Sequence, residues 1–177
     1  MSNAPAVWYL MRSTGIVALL LLTLSFALGI ANSNRWRPSG SRLYVTTAVH
    51  RSASLLAVVF LAVHVFTAVV DPDAGVTVAG ALLPVGPGVW LVAGALSLEL
   101  VAAVVVTSLL RHRLRYGTWR AIHWAAYGAW PLALAHGLGM GSDDGTWWFG
   151  AANVLCIAVM AGAVTWRTFG PATAVRA

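Results

Sequence analysis

Apolar residues run along this chain in five long blocks, about Trp8–Ala31, Leu43–Val70, Val89–Leu110, Thr118–Met140 and Trp147–Phe169. Each is near or above the ~20 residues that a helix needs to cross the hydrocarbon core of a bilayer. Water cannot satisfy backbone N–H and C=O groups there, so the chain must pair them internally, and an α-helix does this within each segment. Polar residues and helix breakers fall between the blocks: Pro38 and Gly40, Asp71-Pro72 with Pro84 and Pro87, Gly117, and Gly141 to Gly145. No long polar linker, internal repeat or low-complexity tract interrupts the series. The pattern predicts one all-α domain over residues 1–177, an integral membrane bundle of five transmembrane helices.

Composition agrees, since 59% of the 177 residues are hydrophobic and only 9% are charged, far from the balance of a soluble domain. Charge adds an orientation, because basic residues gather in cytoplasmic loops. Arg35, Arg37 and Arg42 lie in the first loop, Arg111, Arg113 and Arg115 in the third, and Arg167 and Arg176 at the C-terminal end, whereas the second and fourth loops carry only Asp71, Asp73, Asp143 and Asp144. This alternation predicts an outside N-terminus and a cytoplasmic C-terminus. The formal charge of +6 is explained by that topology and by anionic lipid headgroups, so no nucleic acid is expected. All eleven basic residues are arginine, which reads as genomic base composition. The first block also fits a cleaved signal peptide ending near Ala27-Leu28-Gly29. Its apolar run, however, exceeds the ~7–15 residues of a signal core, and the basic loop after it would have to be exported, so a retained helix is expected. Cys156 stands alone inside the fifth block and offers neither disulfide nor CxxC site.

Against this background the histidines stand out. His112 lies in the arginine-rich third loop and reads as solvated. His50 and His64 bound the run HRSASLLAVVFLAVH in the second block, and His123 and His136 lie in the fourth. A fourteen-residue separation puts His50 and His64 ~21 Å apart along a helix axis and within ~40° of one face. Ser54, Ala57 and Leu61 lie between them on that stripe and leave room for a flat ligand. The second and fourth helices run in parallel, so His50 and His123 share an inner depth and His64 and His136 an outer one. Two facing imidazoles at each of two levels suit two bis-histidine b-type haems. His123 and His136 are ~140° out of phase on an ideal helix, and Pro131 between them offers a way to distort it. Interhelical hydrogen bonding is the plainer role for any one histidine, but ionisable residues inside membranes are rare and usually functional. A transition-metal site is the other alternative; histidines ~20 Å apart cannot share one ion, and neither level offers a carboxylate or thiolate to complete a tetrahedral shell.

The two parallel helices with H-x13-H (His50, His64) and H-x12-H (His123, His136) resemble the haem-carrying core of the ferric reductase and NADPH oxidase superfamily, which has the same unequal spacings. The runs WYLMRSTGIVALLLLTLSFALGI, HRSASLLAVVFLAVH and YGTWRAIHWAAYGAWPLALAHGLG are most similar to small bacterial ferric-reductase-like transmembrane proteins. The haem-binding membrane subunit of the periplasmic methionine sulfoxide reductase system is a more distant likeness. Larger members of the superfamily have six helices and a cytoplasmic flavin and nicotinamide domain. The expectation here is five helices, with no room after Phe169 for a dinucleotide-binding unit of ~30 residues. The electron donor is then expected to be a separate flavoprotein or a membrane quinol.

Neighbouring residues add candidates. Arg120 lies one turn before His123, where a haem propionate would need a cation. Arg51 adjoins His50 but points ~100° away, so snorkelling to headgroups is its plainer role. Arg12 is near the outer end of the first helix; it fits an interfacial anchor beside Trp8 and Tyr9, and by resemblance a propionate partner of the outer haem. Trp130 falls seven residues after His123, placed to pack between two macrocycles. Glu99, in mid-membrane, fits a proton carrier and a protonated structural carboxyl equally well.

The expected function is one-electron transfer across a cell membrane, with the bacterial inner or plasma membrane as the setting. The inner haem would be ligated by His50 and His123 and the outer by His64 and His136, and electrons would pass to ferric iron, oxygen or a redox partner protein at the outer face. Such a chain would be the membrane cytochrome component of an oxidoreductase. A haem-binding anchor subunit, or a small proton or metal transporter using the histidines and Glu99, are the alternatives.

Overall fold

A computed structural model of the chain describes residues 4–33, 43–86, 88–140 and 145–169. Arg35, Arg37, Pro38, Gly40, Arg42, Pro87, Gly141, Asp143, Asp144 and Arg176 lie outside the described residues. Within them the secondary structure is entirely helical. The helices are α1 (Ala4–Ser33), α2 (Leu43–Val70), α3 (Val78–Leu82), α4 (Val89–Leu109), α5 (Tyr116–His123), α6 (Ala126–Met140) and α7 (Trp147–Phe169), with a 3-10 turn at Arg111–Arg113. Four of them, α1, α2, α4 and α7, are long and apolar enough to cross a membrane, and the chain is a multi-pass membrane protein.

The block at Thr118–Met140, expected as one helix, is two helices joined at Trp124 and Ala125. The backbone shows why. Ala125 N–H bonds to Ile122 O, Tyr127 N–H to Trp124 O, and Gly128 N–H to Ala125 O, all three-residue steps, before Ala129 N–H returns to the four-residue step at Ala125 O. Pro131 lies inside α6 and has no N–H to offer the carbonyl of Tyr127, one turn back, against which its ring also crowds. The chain tightens just upstream of that defect. Each three-residue step turns the chain by ~120° instead of ~100° per residue, so the overwinding at this joint moves His123 and His136 out of their ~140° mismatch and towards a common face.

The described residues fall into two compact units, residues 1–15 with 62–144 and residues 16–61 with 145–177. In the first, α4 and α6 pack side by side. Ser97 Oγ donates to Ala129 O across 2.8 Å in a buried site, and Leu100 lies over Gly128 while the Trp90 ring lies against Gly139. As the α4 number rises the α6 number falls, so the pair is antiparallel. Thr77 caps α3 by accepting from Gly80 N–H at 3.0 Å, and Gly88, at φ 137°, lets the chain turn into α4. Asp71, 2% exposed, closes α2 with an Asx turn, its Oδ1 accepting from Asp73 N–H at 3.0 Å.

In the second unit, α7 buries one stripe, Phe149, Asn153, Cys156 and Met160, at helical spacing. Cys156 is 1% exposed and serves as a small packing residue. Arg167 donates to Ser33 Oγ at 2.9 Å. Thr23 and Thr67 in the apolar helices spend their hydroxyl protons on the preceding turn, on Leu19 O and Val63 O, both at 2.8 Å.

Candidate functional site

The four membrane histidines are held by a small set of local devices. In the first unit, His64 Nδ1 lies 2.8 Å from Met11 O, and His136 Nδ1 lies 2.8 Å from Trp90 O. In the second, His50 Nδ1 lies 2.8 Å from Ser25 O. A backbone carbonyl can only accept, so in each ring Nδ1 carries a proton, and in the neutral imidazole the lone pair is then on Nε2. That is the state of an imidazole ready to bind a metal through Nε2, with its orientation and basicity set by the bond on the other side.

His64 and His136 come together, with ring centres 6.2 Å apart and planes at 79°. A metal–imidazole bond is about 2.0 Å and a ring nitrogen lies about 1.1 Å from the ring centre, so two imidazoles on opposite sides of one ion have centres about 6.2 Å apart. The separation of the two rings therefore suits a pair of imidazoles that would hold one metal ion, such as a haem iron, between them. No group of three or more His, Cys, Asp or Glu side chains converges among the described residues.

His50 has a fuller setting. Ser25 Oγ lies 2.6 Å from Ser54 Oγ, and Ser54 in turn donates to His50 O at 2.7 Å. Since Ser54 uses its proton there, the Ser25 hydroxyl donates to Ser54 and its oxygen, 3.4 Å from His50 Nδ1, is a weak second acceptor. Ser54, expected as mere space for a flat ligand, is part of this relay. His123 is set differently: the Trp119 ring stacks on it with centres 4.9 Å apart and planes at 28°, and the Arg111 guanidinium lies 4.6 Å from the centre of the same indole. His50 belongs to the second unit and His123 to the first.

Of the other candidates, Arg12 lies over the Trp8 ring at 4.8 Å, in keeping with an interfacial anchor, and directly follows Met11, which receives His64. Arg51 and Arg120 are exposed. Trp130 is buried, 8% exposed, next to the Ala129 carbonyl that Ser97 holds. Glu99 is exposed on α4.

Sequence reasoning missed Ser25, Trp119 and three glycines. A Cβ on Gly15 would meet the His64 ring at 2.9 Å, one on Gly94 the His136 ring at 2.5 Å, and one on Gly29 the His50 ring at 3.3 Å. Trp119 could have been found from its position one turn before His123. Two of the glycines could have been found from a coincidence of spacing: Gly15 and Gly29 are separated by the same fourteen residues as His50 and His64.

No curated protein and no solved structure matches the chain. A model of the family described as ferric reductase like transmembrane component matches residues 14–134, which take in His50, His64 and His123 and stop two residues before His136. With more than half of its length matched, the chain belongs to the ferric reductase like transmembrane component family, membrane proteins of transmembrane electron transfer that generally bind haem.

Proposed function

We propose that this chain carries electrons one at a time across a cell membrane on two b-type haems, the outer ligated by His64 and His136 and the inner by His50 and His123. The observation that carries the reading is the outer pair: two imidazole centres 6.2 Å apart, each ring with Nδ1 tied to a carbonyl and Nε2 left for iron. His50, bound to Ser25 O in the same way, extends the pattern to a second ligand. The three-residue backbone steps at 122–128 support the pairing of the remaining histidines, since overwinding there turns His123 towards the face of His136.

Bound haem supplies the one-electron couple. The chain's own residues hold and orient the ligands, keep water from them, and set potential through ligand basicity and burial. Arg12 would pair with the propionates of the outer haem, and Arg51 and Arg120 with those of the inner one; Trp130 would pack beside the bound haems. In this reading α5 and α6 together make the fifth crossing, the N-terminus is outside and the C-terminus in the cytoplasm, and all residues belong to one domain. A separate flavoprotein or a quinol delivers electrons, and ferric iron, oxygen or a redox partner protein takes them at the outer face. A negative cytoplasm favours outward electron movement by ~2.3 kcal/mol per 100 mV.

Proteoliposomes test this. With a reduced donor sealed inside and impermeant ferricyanide outside, the wild type should oxidise the donor and His64→Ala should lose most of that rate. A rate no higher than in protein-free vesicles overturns the reading.

A further inference from the structure

Three histidines on two helices rest on one repeated arrangement. The carbonyl that receives Nδ1 belongs to residue i of the facing helix, and residue i+4 is glycine: Met11 with Gly15 under His64, Ser25 with Gly29 under His50, and Trp90 with Gly94 under His136. Helix geometry gives the reason. The carbonyl of residue i points along the axis towards residue i+4, and the side chain of a helical residue leans back over the preceding turn. A side chain at i+4 therefore crowds the carbonyl at i: a slim hydroxyl still reaches Ala129 O past Ala133, as Ser97 does, but at these three seats a Cβ would run into the imidazole ring itself.

The spacing follows from this. Met11 and Ser25, Gly15 and Gly29, and His50 and His64 are all fourteen apart, so the α1 seats repeat with the period of the α2 ligands. Gly137, beside His136 in sequence, has open space around its Cβ position, so glycine as such is not what the ligand helices require.

We infer that Gly15, Gly29 and Gly94 are positioning residues for the haem ligands: each opens a helix carbonyl that locks its histidine as the Nδ1–H tautomer with Nε2 aimed at iron. The inference rests on the haem reading for its consequence, and on the hydrogen bonds alone for its geometry.

The test compares Gly94→Ala, Gly15→Ala and Gly29→Ala with Gly137→Ala in the full chain in phosphatidylcholine vesicles. Haem-to-protein ratio and the ferric low-spin electron paramagnetic resonance signal are read on loaded protein, and histidine 15N solid-state spectra on haem-free protein. Gly94→Ala should lose about one haem equivalent and convert one Nδ1–H signal. Gly15→Ala should act on the same site less severely, Gly29→Ala should only shift its ligand's signals, and Gly137→Ala should match the wild type. Wild-type haem content, paramagnetic signal and 15N spectra in Gly94→Ala overturn the inference. Should Gly94→Ala fail to fold, Gly29→Ala decides, because its Cβ asks for a shift of only tenths of an ångström; unmoved His50 signals there overturn it. If the wild type binds no haem yet Gly94→Ala alters the 15N spectrum and Gly137→Ala does not, the seats stand and the haem reading falls.

Discussion

His64 and His136 reach each other from α2 and α6 with ring centres 6.2 Å apart, each held from behind by a backbone carbonyl at 2.8 Å. Neither ring is held by its own helix: Met11 on α1 and Trp90 on α4 supply the carbonyls. The pair is thus a product of four helices.

Because the two rings serve one site, their losses should not add. His64→Ala and His136→Ala should each remove about one haem equivalent, and the double variant should remove no more than either alone. His50→Ala combined with His64→Ala should remove both. Pyridine haemochrome ratios on purified variants check this, and additive loss from His64→Ala and His136→Ala would contradict the pairing.

Pro131 leaves Tyr127 O without its helical N–H partner, and the winding just before it is expected to depend on that defect. Pro131→Ala restores an N–H for Tyr127 O, so the 3-10 stretch at 122–128 should relax towards regular helix and turn His123 by several tens of degrees relative to His136. The expected result is a more stable helix, with one of two low-spin ferric signals weakened or lost. Two unchanged signals would show that the tightened turn does not depend on the proline.

How much of this was legible in the sequence differs by feature. The apolar blocks gave α1, α2, α4 and α7 to within a few residues, because hydrocarbon length constrains helices strongly. The division of 118–140 was not legible in detail: Pro131 signalled trouble, but the chain tightens a turn or more upstream, where the sequence WAAY has neither Gly nor Pro. The histidines were legible as a set because imidazoles are conspicuous in lipid. The carbonyls behind them were not, since a carbonyl has no letter in the sequence and only the glycine that exposes it does.

Trp119 was overlooked in favour of Trp130, and the two should behave differently. Trp119→Leu removes the ring stacked on His123, an interaction worth ~0.5–1.5 kcal/mol beyond area. It should shift one of the two haem midpoint potentials and leave the other in place, as read by redox titration. Equal movement of both would contradict a role specific to His123.

Ser97 offers a contrast in which structure changes without chemistry. Ser97→Ala deletes the buried bond to Ala129 O and should cost ~0.5–1.5 kcal/mol, seen as a lower unfolding midpoint in detergent. Haem content and spectra should match the wild type. A loss of haem would mean that α4 and α6 hold the ligands less independently than the Trp90 and Gly94 seat implies.

The central claim is that paired histidines at two levels each hold one haem, and haem content in the intact chain tests it most directly. Protein purified in detergent after expression with added haem precursor should give a pyridine haemochrome ratio of about two b-type haems per chain, and its dithionite-reduced spectrum should be that of low-spin, six-coordinate iron. A colourless preparation, or one whose haem content is unaffected when His64 and His50 are both replaced by alanine, would contradict the account.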